Sequence, residues 1–294
     1  MSFLGLNVCG LISKIRYDIL TTYVNNFDII SFCEIRTTNI PADEFPDFDI
    51  FSMKQKSKHH GLALLVRTDM FPHVKHIKTA KSKCVLWVAI GLEPNITSFI
   101  VGAVYIPGVS SIHLDKSDYD YICEDIVTMY ATYDCPFVLL GDFNSRTACL
   151  NDFLSQQETV SFLDTIGITT ERYNCDKKAD PNGRDLINMC NDLNFGIVNG
   201  RFGTDKSVGQ FTCIKPGNRG QSTVDYAITS SSLFPYITDF HIEPFDSLSD
   251  IHLPICLELN IKKQVDQFRM ETNEKYSRVK FKSTWKNEKK EEFI

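Results

Sequence analysis

The segment Leu139-Leu140-Gly141-Asp142-Phe143-Asn144-Ser145 ends an apolar run on a carboxylate and a carboxamide two residues apart. Side chains alternate along an extended chain, so Asp142 and Asn144 point the same way off the strand end. A carboxylate placed there can hold or deprotonate a water, and a neighbouring carboxamide can donate to an oxyanion. The same pair would also suit an Asx-type turn that merely closes the strand.

The pattern recurs. Asn7 sits inside the apolar run Leu6-Asn7-Val8, and Ile30-Ser31-Phe32-Cys33-Glu34 terminates in a carboxylate. Val104-Tyr105-Ile106-Pro107-Gly108 carries a phenol at its end, and Ser222-Thr223-Val224-Asp225-Tyr226-Ala227-Ile228 carries an acid within a strand-like run. The last case is Leu248-Ser249-Asp250-Ile251-His252-Leu253-Pro254-Ile255. An unpaired carboxylate or amide costs several kcal/mol to bury, so repeated burial implies mutual pairing or a metal.

The elements that must position these groups are mostly short. Runs of strand length, rich in Val, Ile and Phe, are Phe3–Val8, Ile29–Cys33, Phe48–Met53, Leu62–Val66, Val85–Leu92, Phe99–Ile106 and Phe137–Leu140. Phe195–Val198, Gln210–Ile214, Val224–Ile228, Ile237–Ile242 and Leu253–Leu259 follow. Helical spacing is confined to Ile12–Val24, Tyr119–Tyr130 and Arg184–Leu193, and residues 145–183 read as a long loop excursion with one short helix. Many strands with few helices suit an α/β fold, a layered sandwich of two packed sheets covered by helices. Regular strand–helix alternation and a Gly-rich first turn, which a doubly wound nucleotide-binding fold requires, are both missing.

The 294 residues carry a formal charge of −6, which argues against a phosphate-rich partner. The average conceals a division. Residues 261–294 hold ten Lys and Arg against six Asp and Glu, a net of +4, leaving −10 on the first 260 residues. Within that acidic part, Lys54–Lys83 contains eight basic residues and one acid, Asp69. Residues 1–261 are expected to form one folded domain and 262–294 a charged linker or tail. No apolar run reaches membrane-spanning length, no basic leader precedes the first strand, and the ten cysteines form no C-x-x-C clamp. A reducing nuclear or cytoplasmic location, without secretion or membrane association, is the expectation.

Taken in order, these polar strand ends resemble the endonuclease/exonuclease/phosphatase superfamily, whose members include AP endonucleases, pancreatic deoxyribonuclease, sphingomyelinases and inositol polyphosphate 5-phosphatases. The resemblance runs from about Phe3 to Asn260, with Leu-Leu-Gly-Asp-Phe-Asn its most specific element. Thr212-Cys213, Ser222-Thr223-Val224-Asp225-Tyr226, Asn182-Gly183-Arg184-Asp185-Leu186 and Val198-Asn199-Gly200 look like the endonuclease domain of LINE-type (non-LTR) retrotransposons. In such elements a reverse transcriptase follows in the same polyprotein.

The resemblance implies a four-layered α/β sandwich, with two central, mainly antiparallel sheets flanked by helices. It implies that Glu34, with Asn7 beside it and Asp250 as an auxiliary ligand, holds Mg²⁺ or Mn²⁺. Asp142 would orient or deprotonate the attacking water. Asn144 and Tyr105 would bond the non-bridging oxygens, and Asp225 would hold His252 against the scissile phosphate. The implied substrate is double-stranded DNA, nicked to leave a 3′-hydroxyl and a 5′-phosphate. One departure stands out. The family commonly ends Ser-Asp-His, whereas Ile251 here separates Asp250 from His252, and one inserted residue reverses a strand side chain unless a bulge absorbs it.

Thr212 and Ser222 flank a predicted hairpin with a Pro216-Gly217-Asn218 tip; these two residues, with Lys215 and Arg219 on the hairpin, are the candidate DNA contacts, the basic pair entering a groove or clamping a phosphate. The same tip would serve as a solvated turn, and the Lys54–His60 run either tracks a DNA backbone or forms a solvated loop. Two other functions remain open. A phosphatase acting on an inositol phosphate or lipid headgroup would show a Pro-Ala-Trp-Cys-Asp-Arg-like run where this chain has Ser-Thr-Val-Asp-Tyr. A catalytically silent binding module would have lost carboxylates that are all present here.

Overall fold

A computed structural model describes residues 1–16, 18–54, 60–79, 81–153, 157–217, 220–244 and 251–260. The expected tail at 262–294, Arg219 and Asp250 lie outside them. Residues Met1–Asn260 constitute one compact unit.

Its strands, in chain order, are β1 (Ser2–Asn7), β2 (Ile29–Cys33), β3 (Phe48–Met53), β4 (Leu62–Arg67), β5 (His73–Ile77), β6 (Val85–Gly91) and β7 (Phe99–Tyr105). They continue with β8 (Phe137–Asp142), β9 (Phe195–Ile197), β10 (Cys213–Ile214), β11 (Gln221–Ser222), β12 (Asp225–Ser230), β13 (Ile237–Ile242) and β14 (Ile255–Leu259). The helices are α1 (Leu11–Ile15), α2 (Ile19–Val24), α3 (Asp118–Tyr133), α4 (Gln157–Thr165) and α5 (Pro181–Leu193). In place of the single helix expected over Ile12–Val24 there are two, α1 ending at Ile15 and α2 beginning at Ile19, each burying its own pair of aliphatic residues. The strand expected to stop before Gly141 continues through Asp142, and β5, whose side chains are at most half-buried, lacked an apolar signature.

Two six-stranded sheets result, with orders β13-β14-β1-β2-β4-β3 and β5-β6-β7-β8-β12-β9. Only β1–β2 and β7–β8 pair in parallel; the other pairs are antiparallel. Alternation divides each strand between two faces. Leu4, Leu6, Ile30, Phe32 and Cys256 pack outward with Leu11, Leu20 and Val24 of α1 and α2. Trp87, Val104, Phe137, Leu139, Tyr226 and Ile228 pack outward with Ile122 and Ile126 of α3 and Leu186 and Cys190 of α5. The inner faces meet through the Phe3–Phe99 ring contact at 6.3 Å and the Ser31 hydroxyl donating to Leu140 O at 2.9 Å. The order helix, sheet, sheet, helix is the four-layered sandwich that the sequence pointed to.

The excursion between β8 and α5 contains α4, as expected, but its anchors are mainly polar. Asp152 is wholly buried and takes both guanidinium ends of Arg201, at 2.7 and 2.6 Å, and the Ile197 N–H at 2.8 Å. Arg201 also donates to Thr170 O and lies 5.0 Å over the Phe153 ring. Arg146 pairs with Asp176 through two bonds, and Asp176 accepts the Thr223 N–H at 3.2 Å. The excursion is thereby tied to the approach to Asp225.

Burial alone would raise the Asp152 carboxyl, but the charge and hydrogen bonds of Arg201 override it and hold the group below its ordinary 3.8. The folded group binds its proton more weakly than the unfolded one. The pair's contribution is therefore complete above pH ~4 and is lost as pH falls below that. Asp152→Ala leaves Arg201 buried without its partner and should lower stability in urea unfolding at pH 7 by about 3–5 kcal/mol. The gap from wild type should narrow below pH ~4; a variant as stable as wild type at pH 7 would contradict the assignment.

Candidate active site

Strand direction and alternation together assemble the site. Asn7 ends β1 in register with Cys33, after which Glu34 follows. Tyr105 ends β7 in register with Asp142 at the end of β8, and Asp142 in turn faces Asp225 at the start of β12. Asn7, Tyr105, Asp142 and Asp225 all have the parity of the inner faces, since their neighbours Leu6, Val104 and Tyr226 face the helices. The inner ends of both sheets therefore converge on one place, with the Cys33 thiol donating across to Val104 O at 3.0 Å.

The side chains touch. The Asn7 amide nitrogen donates to Asp142 Oδ2 at 3.0 Å and to Glu34 Oε1 at 3.2 Å, and lies 3.4 Å from His252 Nε2. Its oxygen is turned away and accepts the Cys9 N–H at 3.1 Å. The Tyr105 hydroxyl donates to Glu34 Oε1 at 3.2 Å. Asn144 points its backbone and side-chain N–H groups at the two oxygens of Asp142, at 2.9 and 3.0 Å. His252 Nδ1 meets both oxygens of Asp225 at 2.9 and 3.0 Å, while its Nε2 is 3.9 Å from Asp142. The seven residues singled out by the sequence for catalysis thus form one connected cluster.

Two backbone features shape it. Gly141 has φ 148°, and a Cβ there would lie 2.0 Å from Val104 O, so only glycine lets β8 press against β7 immediately before Asp142. Glu34 and Asn144, each just beyond a strand end, occupy left-handed conformations at φ 49° and 45°. That geometry is tolerable for Asn but strained for Glu, a cost of about 1–3 kcal/mol that the surrounding structure must sustain.

Charge is concentrated there. Burial, followed by the nearby charge of Asp225, pushes the Asp142 carboxyl up to about 7. Burial works against protonation of His252, but Asp225 outweighs it and raises the imidazole to about 9. Burial and the Glu34 and Asp142 charges push the Tyr105 phenol up, which keeps its proton in place.

Asp142, Asp225 and His252 present ligand atoms within 4.8 Å of one another, and Glu34 adds a fourth ionisable group through Asn7. An oxygen-rich, negatively charged donor set of this kind suits a hard divalent cation. Asn7 could contribute an oxygen only after its amide turned over, because here it faces the carboxylates with its nitrogen.

Other expected residues have different positions. Thr212, expected against DNA, is fully buried, and its hydroxyl accepts the N–H groups of Val224 and Asp225, both at 3.0 Å. It fixes the backbone of Asp225. The hairpin forms as β10 and β11, with Cys213 opposite Ser222, and Lys215 is exposed on it while Ser222 is half-buried. Its first strand also bridges to His252, through Ile214 N–H to Ile251 O and Leu253 N–H to Thr212 O, each 2.8 Å. His252 is carried by this bridge ahead of β14, outside regular strand alternation, so the residue inserted at 251 does not turn it from Asp225.

Three contacts went unread in the sequence. Arg36 pairs with Glu34, the rings of His60 and Tyr105 lie 4.7 Å apart, and Asn199 holds the Asp225 carbonyl at 3.1 Å. The visible signals among them are the Glu34-Ile35-Arg36 spacing and the Val198-Asn199-Gly200 motif.

No family model and no curated protein matches the sequence. Solved structures do. The AP endonuclease LMAP from Leishmania major superposes with a TM-score of 0.66 at 13% identity, over 88% of this chain and 87% of that one. The 3′ phosphatase NExo from Neisseria, bound to a product DNA hairpin, gives 0.62 at 14% identity over 88% and 99%. The endonuclease domain of TRAS1, a telomere-specific non-LTR retrotransposon, gives 0.59 at 14% identity over 89% and 98%. The chain has the fold of the endonuclease/exonuclease/phosphatase superfamily.

Proposed function

We propose that the protein is a divalent-metal-dependent DNA endonuclease that nicks a phosphodiester to leave a 3′-hydroxyl, as in target-site nicking by a retrotransposon. The observation that carries this reading is the joining of Glu34, Asp142 and His252 through the single amide of Asn7, where two sheets end together. The neighbours named for endonuclease activity, one of them from a retrotransposon, support it. A reverse transcriptase partner belongs to the same reading.

Glu34 and Asn7, with Asp250 as an auxiliary ligand, would hold Mg²⁺ or Mn²⁺, which when bound supplies neutralisation of charge developing on the leaving oxygen. Asp142, steadied by Asn144, accepts a proton from the attacking water. Tyr105 and Asn144 donate to the non-bridging oxygens of the phosphorus as it becomes pentavalent. His252, held protonated by Asp225, faces the scissile phosphate as a fixed positive charge and proton donor. Lys215, Arg219 and Ser222 on and beside the hairpin approach the duplex backbone or groove, and Thr212 acts beneath them by orienting Asp225.

The test is nicking of supercoiled plasmid with Mg²⁺ and with EDTA. Chelation should abolish the reaction, and Asp142→Asn and His252→Ala should each lower the rate by about 10²–10⁴-fold. Undiminished nicking by either variant would sink the mechanism. Absence of nicking by wild type, with phosphate release from an inositol polyphosphate, would transfer the site to the phosphatase reading.

The hairpin has its own measurement. Lys215→Ala and Arg219→Ala should each weaken duplex binding and reduce the slope of log affinity against log salt by about 1. Unchanged slopes and unchanged cleavage maps would remove the hairpin from the DNA interface.

A further inference from the structure

A second cluster of metal-ligating side chains lies on the outer face of the sheet that carries β1 and β14, away from the inner faces that build the nuclease site. His241, Glu243 and Cys256 present an imidazole nitrogen, a carboxylate oxygen and a sulfur within 4.8 Å of one another. They are brought together by pairing of the edge strand β13 with β14, in which His241 stands opposite Cys256.

A β-bulge creates the arrangement. The register shifts between Ile237 and Asp239, so Ile237 faces Leu259 and Asp239 faces Glu258. Uninterrupted alternation from Ile237 would put His241 on the inner face. The extra residue instead turns Phe240 and Ile242 inward, both buried, and leaves Asp239, His241 and Glu243 on the side of Cys256. The bulge thus re-aims a histidine and two acids towards a thiol that would otherwise belong only to the apolar layer under α2.

The histidine is already oriented for ligation. Its Nδ1 is 2.7 Å from Asp239 Oδ2, which fixes the proton on that nitrogen and leaves Nε2 as the lone-pair side. Nε2 lies 3.4 Å from Glu243 Oε1. Ligand atoms bound tetrahedrally at about 2.0–2.1 Å are themselves about 3.3 Å apart, so this spacing needs little adjustment around an ion.

We propose that His241 Nε2, Glu243 and Cys256 Sγ bind one Zn²⁺, with Asp239 supporting the imidazole, in a site that pins the edge strand β13 to β14. Mixed sulfur, nitrogen and oxygen donors favour zinc over the hard cation suited to the nuclease cluster. The fourth position is taken by water. Burial pushes the Cys256 thiol up to about 12, and the Tyr23 hydroxyl sits 3.7 Å from its sulfur. Binding releases the thiol proton to solvent as the Zn–S bond forms. An ion here would cross-link neighbouring strands at a sheet edge and place a charged centre beside backbone groups that could pair with another chain.

The test is metal binding by the purified, metal-stripped protein. Competition with a chromogenic chelator should show one equivalent of Zn²⁺ bound by wild type beyond that bound by Cys256→Ser, and Co²⁺ in its place should give a thiolate-to-cobalt charge-transfer band. Loss of that band in Cys256→Ser assigns it to this site rather than to the nuclease cluster, beside which the Cys33 thiol lies. Cys256→Ser should abolish the band, whereas Cys149→Ser, at an exposed cysteine, should keep it. His241→Gln, at a partly exposed position, should weaken Zn²⁺ binding at least 100-fold with unchanged circular dichroism, and Asp239→Asn about tenfold. No charge-transfer band in wild type, or a band that survives Cys256→Ser, would overturn the proposal, as would equal affinity in His241→Gln.

Discussion

Buried negative charge at the shared end of two sheets is the constraint around which the rest is arranged. Asp142 and Asp225 are nearly without solvent exposure and stand in register on adjacent strands, an arrangement that repels itself in a poorly polarisable interior. The molecule answers with donors. Asn7 reaches Asp142 from the opposite sheet, Asn144 holds it from its own chain, and His252 takes both oxygens of Asp225. Each donor comes from a different part of the sequence, so the cluster exists only when both sheets are complete and correctly registered. A one-residue slip in β8 or β12 would turn a carboxylate outward into the layer of Phe137 and Tyr226.

The same constraint explains structure lying beyond the cluster. Asp225 sits at the first residue of a strand, where backbone is least restrained, and three outlying pieces converge to hold it. Thr212 accepts its N–H, Asn199 holds its carbonyl, and the excursion reaches Thr223 through Asp176. Residues that look like loop or hairpin in sequence thus fix the histidine–aspartate pair. The hairpin is tied to both ends of that pair, since β10 also bridges to His252.

Sequence reasoning reached as far as alternation and burial could take it. Polar residues at strand ends were visible because each interrupts an apolar run, and Asn7, Glu34, Tyr105, Asp142, Asn144, Asp225 and His252 do converge. Sheet pairing, by contrast, joins residues such as Asp142 and Asp225 across 83 positions, and nothing local records that distance. The burial of Thr212 is not legible in sequence, because a threonine whose hydroxyl caps two backbone N–H groups looks the same there as an exposed one. The anchors of the excursion escaped for a related reason: Asp152 and Arg201 are ordinary surface residue types until their bidentate pairing permits burial.

The bulge in β13 marks the point where the rule itself fails. Alternation read from Ile237 assigns the wrong face to every later residue of the strand, and only the register with β14 reveals the shift. Phe240 and Ile242 are the local sign, since two apolar residues at even positions follow an apolar residue at an odd one. That change of phase corrects the inner face, and it simultaneously gathers Asp239, His241 and Glu243 beside Cys256. A strand interior needs only the first consequence. The second requires that the residues turned outward be an acid, an imidazole and another acid, and ordinary edge-strand protection would be met equally well by lysine or by charge of one sign.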